Sequence, residues 1–585
     1  MANPANFDRV LKRMHQNPKS VLEAAIRGSP DEITVLGNTW ADKPGLISPS
    51  DAMDVWLYHL TSARVPSDIK NDVFCSTANC AFASILELSD ARRRRTLDVI
   101  TMCWFTMAQN EVLRGLIMKT PAALEIATRL WLEEGKGPVP SNVTIPAASC
   151  ILWNLLKLAK APELDRMLKA AGGKAREVAK LSLTRLKDVL KAPQLSSTHL
   201  MMHLDFLNSV SRVPSHPIRR APFGANVIWI VTGALVKLSV LVNTSPDLGF
   251  LDAMVAGFGY LSNCLESTDG FTWVSQAIGA GLLPAYCDCS PKFYMVHGED
   301  LEMITDVVNK ILPKYLVYRS VIDAVDASMR KLTKAQEDRV RLSMAKKGWE
   351  EFYHMAHEKE LIAIHSEVTK GMHMTCDNIK CQKVKRKEEV RRCSACLNTF
   401  YCSKECQAVA WKEEGKSESI SKRDAAFFHV LSMRDAGKKR QQFRKLIKAN
   451  FPSAALHDTV VCMDYTVLPA KSSVRLLKDY NTGHTMGSDN AEARNDALVE
   501  KVQTHPDRFT LIESKIACGQ GHQCVLTLAT GQFWTRESML GPVDDLSGDD
   551  AELGHEDMDH IDFMKVQMML DSFKDKHEGE RRARV

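Results

Sequence analysis

The chain has 585 residues, 45% of them apolar and 25% charged, the balance of a soluble globular protein with several domains. Its 76 lysines and arginines against 71 aspartates and glutamates leave a net charge of +5, too small on this length for a global nucleic-acid or membrane field. The opening residues MANPANFDRVLKRMHQNPKS contain no apolar signal core, so an intracellular protein is expected, with nucleus and cytoplasm not distinguished.

From about residue 20 to 345, apolar residues recur at helical spacing and strand-type alternation is scarce. Ser20-Val21-Leu22-Glu23 has the form of a capping box. Arg92-Arg93-Arg94-Arg95 reads as a solvated helix face. Thr120-Pro121 offers an N-cap followed by a first-turn proline. The most apolar run, VIWIVTGALVKLSVLV at 227–242, is short for a membrane span and contains Lys237. A buried helix is expected there, and no membrane partner. Gly257-Phe258-Gly259 lacks the preceding strand and third glycine of a phosphate loop. The stretch SQAIGAGLLPA at 275–285 resembles the turn of an armadillo repeat, where one helix ends at glycine and Leu-Pro opens the next. Cys287-Asp288-Cys289 is too tight for a metal knuckle and is expected in a loop.

These features predict a mainly α fold: an armadillo-like or irregular helical array over 1–330, with a charged bridging helix over 331–372. Thr333 to Gln336 can cap the bridging helix, and Trp349, Phe352 and Tyr353 form its apolar side. A cysteine-rich segment occupies 373–418. A small α+β region follows over 419–535, with a helix at 421–450 and a hairpin turning at Gly519-Gln520-Gly521. Cys518, His522 and Cys524 flank that turn at no usual metal spacing, so a plain hairpin is expected. The 536–585 tail is charged, poor in aromatics and partly disordered, with a possible helix at 559–573.

The sixteen cysteines are unevenly placed, six of them between 376 and 406. Scattered ones such as Cys150 and Cys264 have apolar neighbours and read as reduced core thiols. The six form pairs: Cys376 with Cys381, Cys393 with Cys396, and Cys402 with Cys406. A C-x2-C knuckle aims two thiolates at one ion, and an i, i+4 pair at a helix start does the same if Ser403 opens a helix. The neighbours Lys383, Lys385, Arg386, Lys387, Arg391 and Arg392 cannot build a core, so the segment needs a metal staple. Zinc is the expected ion.

The spacing Cys376-x4-Cys381, Cys393-x2-Cys396, Tyr401-Cys402, Cys406-Gln407 and Trp411 resembles the MYND zinc finger, and the wider layout resembles large fungal MYND-domain proteins. The resemblance implies one Zn2+ shared by Cys376, Cys381, Cys402 and Cys406. It implies a second at Cys393 and Cys396 with two further ligands. Those two depart from the family pattern: Glu414 and Glu418 fall near the positions of its histidine and last cysteine, and the nearest histidine is His429. One site is therefore expected complete and the second incomplete. The family binds short peptides near the positions of Gln407 and Trp411, so a protein-interaction adaptor with a peptide partner is the leading expectation.

Two alternatives remain. The basic stretch 380–392 suits a nucleic-acid-associated regulator, but Glu388, Glu389 and Glu405 interrupt its charge, so nucleic acid is an unlikely partner. A SET-type methyltransferase relative would need β-rich segments before the finger, and helices stand there instead. No catalytic constellation is recognisable, so no enzyme is expected.

Overall fold

The first two helices, Pro4–Gln16 and Pro18–Ile26, meet at Asn17. The Asn17 side chain accepts from the Ser20 amide at 3.2 Å, and Pro18 takes the first helical position. The helix is therefore capped three residues before Ser20, because Asn-Pro supplies both a capping oxygen and a preset φ. This computed structural model describes residues 4–27, scattered positions from 29 to 114, the helix Pro121–Glu134, and 146–368 except 158 and 297. It also describes parts of 373–413, then 422–482, 489–530 and 533–535. Arg92 to Arg95 lie outside the described residues, as does the tail beyond Thr535.

From residue 147 the helices form two layers. One holds Ala147–Leu156, Ser197–Val210, Gly249–Cys264 and Gly298–Asp306, whose starts are 50, 52 and 49 residues apart. The other holds Ala175–Lys191, Val227–Thr244, Leu282–Cys289 and Lys334–Arg341, with starts 52, 55 and 52 residues apart. Each helix touches the next in its layer. This is a helical stack, and the spacing by itself singles out no repeat class.

Val227–Thr244 is long and apolar enough to cross a membrane, yet half of it is buried in the protein. Val227, Ile228, Val231, Leu235 and Leu238 enter the main core, while Lys237 donates to the Leu190 carbonyl at 2.7 Å. Gly257 serves this packing: a Cβ there would lie 2.8 Å from a Leu235 methyl. The Gly-Phe-Gly motif is thus a helix-to-helix contact.

Cys287 and Cys289 are not in a loop. They lie in the helix Leu282–Cys289, both thiols buried, and burial pushes both well above the usual thiol range. Gly281, with a φ of 105°, makes the turn before this helix, and Pro284 falls where its missing N–H is harmless. Cys150 and Cys264 are buried as expected.

A second core gathers the N-terminal helices around Val10, Trp131, Ile151 and Leu155. His203 is buried among the helices. Burial, with Arg185 and His199 adding, lowers its pKa from 6.5 to about 3. Between those values the unfolded chain takes up a proton that the folded one refuses. Stability is therefore complete above pH 6.5 and falls as pH drops toward the folded value. His203→Gln should remove this component, up to about 1.4 kcal/mol per pH unit. Urea unfolding of both proteins across this range checks it, and parallel stability curves would contradict it.

The expected helix over 331–372 is two helices, Lys334–Arg341 and Lys346–Val368. Thr333 and Gln336 form the expected capping box. Trp349 and Phe352 are buried, whereas Tyr353, expected on the same apolar side, is exposed. The helix expected at 421–450 likewise divides into Lys422–Lys438 and Arg440–Asn450.

Short strands β1 (His373–Thr375), β2 (Val384–Arg386), β3 (Arg391–Arg392) and β4 (Phe400–Tyr401) form two antiparallel pairs, β1 with β2 and β3 with β4. The C-terminal sheet contains β5 (Thr459–Asp464), β6 (Lys471–Leu476), β7 (Phe509–Cys518) and β8 (Gly521–Thr530), in the order β6-β5-β7-β8. β5 runs parallel to β7, and the other pairs are antiparallel. Side chains of β5 alternate between two cores. Val461 and Met463 join the array, whereas Val460 and Cys462 pack with Val499 and Val502 of the helix Asp489–Thr504. Cys518 ends β7 opposite Gly521, so the predicted hairpin is present and Cys524 belongs to its second strand.

Candidate metal centre

The register of β1 and β2 sets Thr375 opposite Val384, on either side of Cys376 and Cys381 in the chain. The register of β3 and β4 sets Arg392 opposite Phe400, on either side of Cys393 and Cys396. β1 also lies beside β4, which draws the pairs together. Immediately after β4 the chain turns into the helix Lys404–Glu413. Ser403 starts it: its hydroxyl accepts from the Cys406 amide at 3.2 Å, and its carbonyl accepts from the Gln407 amide at 3.2 Å. The Ser403 hydroxyl also holds the carboxyl of exposed Glu405 below its usual range. An acidic group in the first turn suits the positive end of the helix dipole.

One helical turn brings Cys402 and Cys406 together, with their sulfurs 3.4 Å apart. Cys381 reaches the same point, its sulfur 3.3 Å from that of Cys402. The three sulfurs lie within 4.8 Å of one another, and they are the one such group of potential metal donors among the described residues. A disulfide would require about 2.05 Å. Sulfurs bound to one zinc at ~2.3 Å sit about 3.8 Å apart. The spacing therefore suits ligands of a shared ion. Fully buried Tyr401 packs against all three cysteines and supplies an apolar backing that spacing alone did not assign to it. Its place beside Cys402 was the available signal.

Cys376, Cys393, Cys396, Glu414 and Glu418 lie outside the described residues. Gln407 is half-buried on the helix that carries Cys406, and Trp411 lies one turn further along it. His429 is exposed on the helix Lys422–Lys438.

The three-thiol set of Cys381, Cys402 and Cys406 fits zinc. Bound there, zinc would cross-link a segment whose described residues bury Tyr401 as their one apolar side chain. A family model described as the MYND finger matches residues 376–418. Comparisons with curated proteins and with solved structures found no match. The cysteine spacing, the converging thiols and the family match agree, and residues 376–418 of this chain are a MYND zinc finger.

Proposed function

We propose that the protein is a non-catalytic adaptor in which the zinc-held finger captures a short peptide and the helical stack offers a second surface to the same assembly. MYND fingers are protein-interaction modules in general; the peptide and the adaptor role are this reading's own. The observation that carries it is the all-thiol cluster at Cys381, Cys402 and Cys406. With Cys376 as fourth donor the ion keeps no open position for a reactive water, so its role is structural. The hairpin edges beside it suit pairing with an extended peptide, with Gln407 and Trp411 on the adjoining helix.

The anchoring of the helix Lys422–Lys438, which follows the finger in the chain, supports the same reading. Asp424, buried at the start of this helix, accepts from the Ser320 amide at 2.9 Å and so caps the array helix Arg319–Met329. Arg423 adds an ion pair to Asp323 at 2.6 Å. The helix Lys422–Lys438 is thus fixed to the array.

Trp411→Ala is expected to weaken peptide binding roughly tenfold or more while zinc content stays unchanged. A peptide array read with wild-type and variant full-length protein, beside metal analysis of both, checks this. Loss of zinc in the variant would make Trp411 part of the finger's core and defeat the groove assignment.

A further inference from the structure

The turn between Lys334–Arg341 and Lys346–Val368 exposes what a soluble turn normally hides. Leu342 is 89% exposed and Met344 is 64% exposed. They do not sit on a loose loop. Val340 and Ala345 bury the two ends of the turn in the main core. Between them the Ser343 amide and hydroxyl both donate to the Val340 carbonyl, at 3.1 and 2.8 Å. The Ser343 hydroxyl accepts from the Ala345 amide at 3.1 Å, and the Leu342 amide donates to the Asp338 carbonyl at 3.0 Å. The backbone is locked, and two apolar side chains are held outward as a convex knob.

The knob has a basic collar. Arg341, Lys346 and Lys347 adjoin it and are exposed. Over 334–351 there are five lysines and arginines against Glu337, Asp338, Glu350 and Glu351, the last two one helical turn beyond Lys346 and Lys347. Arg339 is engaged by Asp288 and Arg341 by Glu337, which leaves Lys346 and Lys347 as the collar's principal charges.

A groove receives a peptide, whereas an exposed apolar tip with two amines beside it fits a soft anionic surface. Leucine and methionine enter the acyl boundary while the lysines meet the headgroups. We infer that the Leu342–Ala345 turn docks the protein on anionic lipid surfaces, with Leu342 and Met344 inserting.

Sedimentation of the full-length protein with phosphatidylcholine vesicles, with and without phosphatidylserine, tests this. The wild type should pellet with the phosphatidylserine vesicles and far less with the neutral ones. Binding should weaken as salt rises. Leu342→Glu combined with Met344→Glu should weaken it on the order of 100-fold. Lys346→Ala combined with Lys347→Ala should weaken it roughly tenfold or more. Both double variants should unfold at the wild-type temperature, since all four side chains are exposed. Two results overturn the inference. One is no binding of wild type to phosphatidylserine vesicles, which removes anionic lipid as the partner of the turn. The other is unchanged binding by the Leu342/Met344 variant, which assigns the affinity to basic residues elsewhere.

Discussion

Cys402→Ser is expected to release the zinc held by Cys381, Cys402 and Cys406 and to unfold the finger, while the helical stack stays folded. Cys402 occupies the middle of the cluster, with a sulfur neighbour on each side at 3.3 and 3.4 Å. The segment around it has Tyr401 as its one fully buried apolar side chain among the described residues. Metal affinity is therefore expected to supply most of its folding free energy, ~10–16 kcal/mol in comparable small zinc modules. The array has its own cores and does not draw on the ion. Metal analysis with limited proteolysis reads both halves of this expectation. The variant should lose zinc and gain cleavage sites within 373–413, with its far-ultraviolet helix signal largely kept. Cys524→Ser is the matched control: that cysteine belongs to β8, and its loss should leave zinc content unchanged. Wild-type zinc content in Cys402→Ser would remove Cys402 from the ligand set.

Tyr318→Ala should be the most damaging single change outside the finger, costing about 4 kcal/mol. Tyr318 is fully buried where three parts of the protein meet. Its ring stacks on Phe271 of the array at 4.6 Å and meets Phe428, on the helix after the finger, edge-on at 5.2 Å. Its hydroxyl donates to the Ala517 carbonyl of β7 at 2.6 Å. Truncation opens a cavity and orphans that carbonyl. Tyr318→Phe keeps the ring and loses only the hydrogen bond, so a smaller cost of about 1–2 kcal/mol is expected. Denaturant unfolding separates the two contributions. Equal effects of the two variants would mean that packing at the junction contributes little.

How much of this was readable beforehand depended on whether the signal was local. The helices were legible because apolar residues repeat at helical spacing, and Trp349 and Phe352 fell on the buried side as that spacing required. The β7–β8 hairpin was legible from Gly519, whose φ is 59° in a turn between two β-rich runs. In the finger, Cys402 and Cys406 announced their convergence by an i, i+4 spacing, and Cys381 was placed by the motif. The turn at 342–345 was not legible. Neither glycine nor proline marks it, and its lock is the Ser343 hydroxyl, a choice that tertiary burial of Val340 and Ala345 makes for the chain. The recurrence of about 50 residues between helix starts was hidden for a related reason. Each unit fills its layer with different side chains and is interrupted by different short helices, such as Pro217–Arg220 and Leu312–Tyr315. Cys287 and Cys289 were misplaced because i, i+2 spacing looks like a loop motif, yet both positions of a helix enclosed on most sides can be buried.

Native mass spectrometry of the full-length protein, purified under reducing conditions and titrated with a chelator, tests the zinc-held finger most directly. One zinc per chain is expected to resist the chelator, held by Cys381, Cys402 and Cys406 with Cys376, and a second at Cys393 and Cys396 to be absent or stripped first. A two-thiolate site loses charge and softness that favour zinc. Protein that carries no zinc, or two zincs removed at the same chelator concentration, would contradict it.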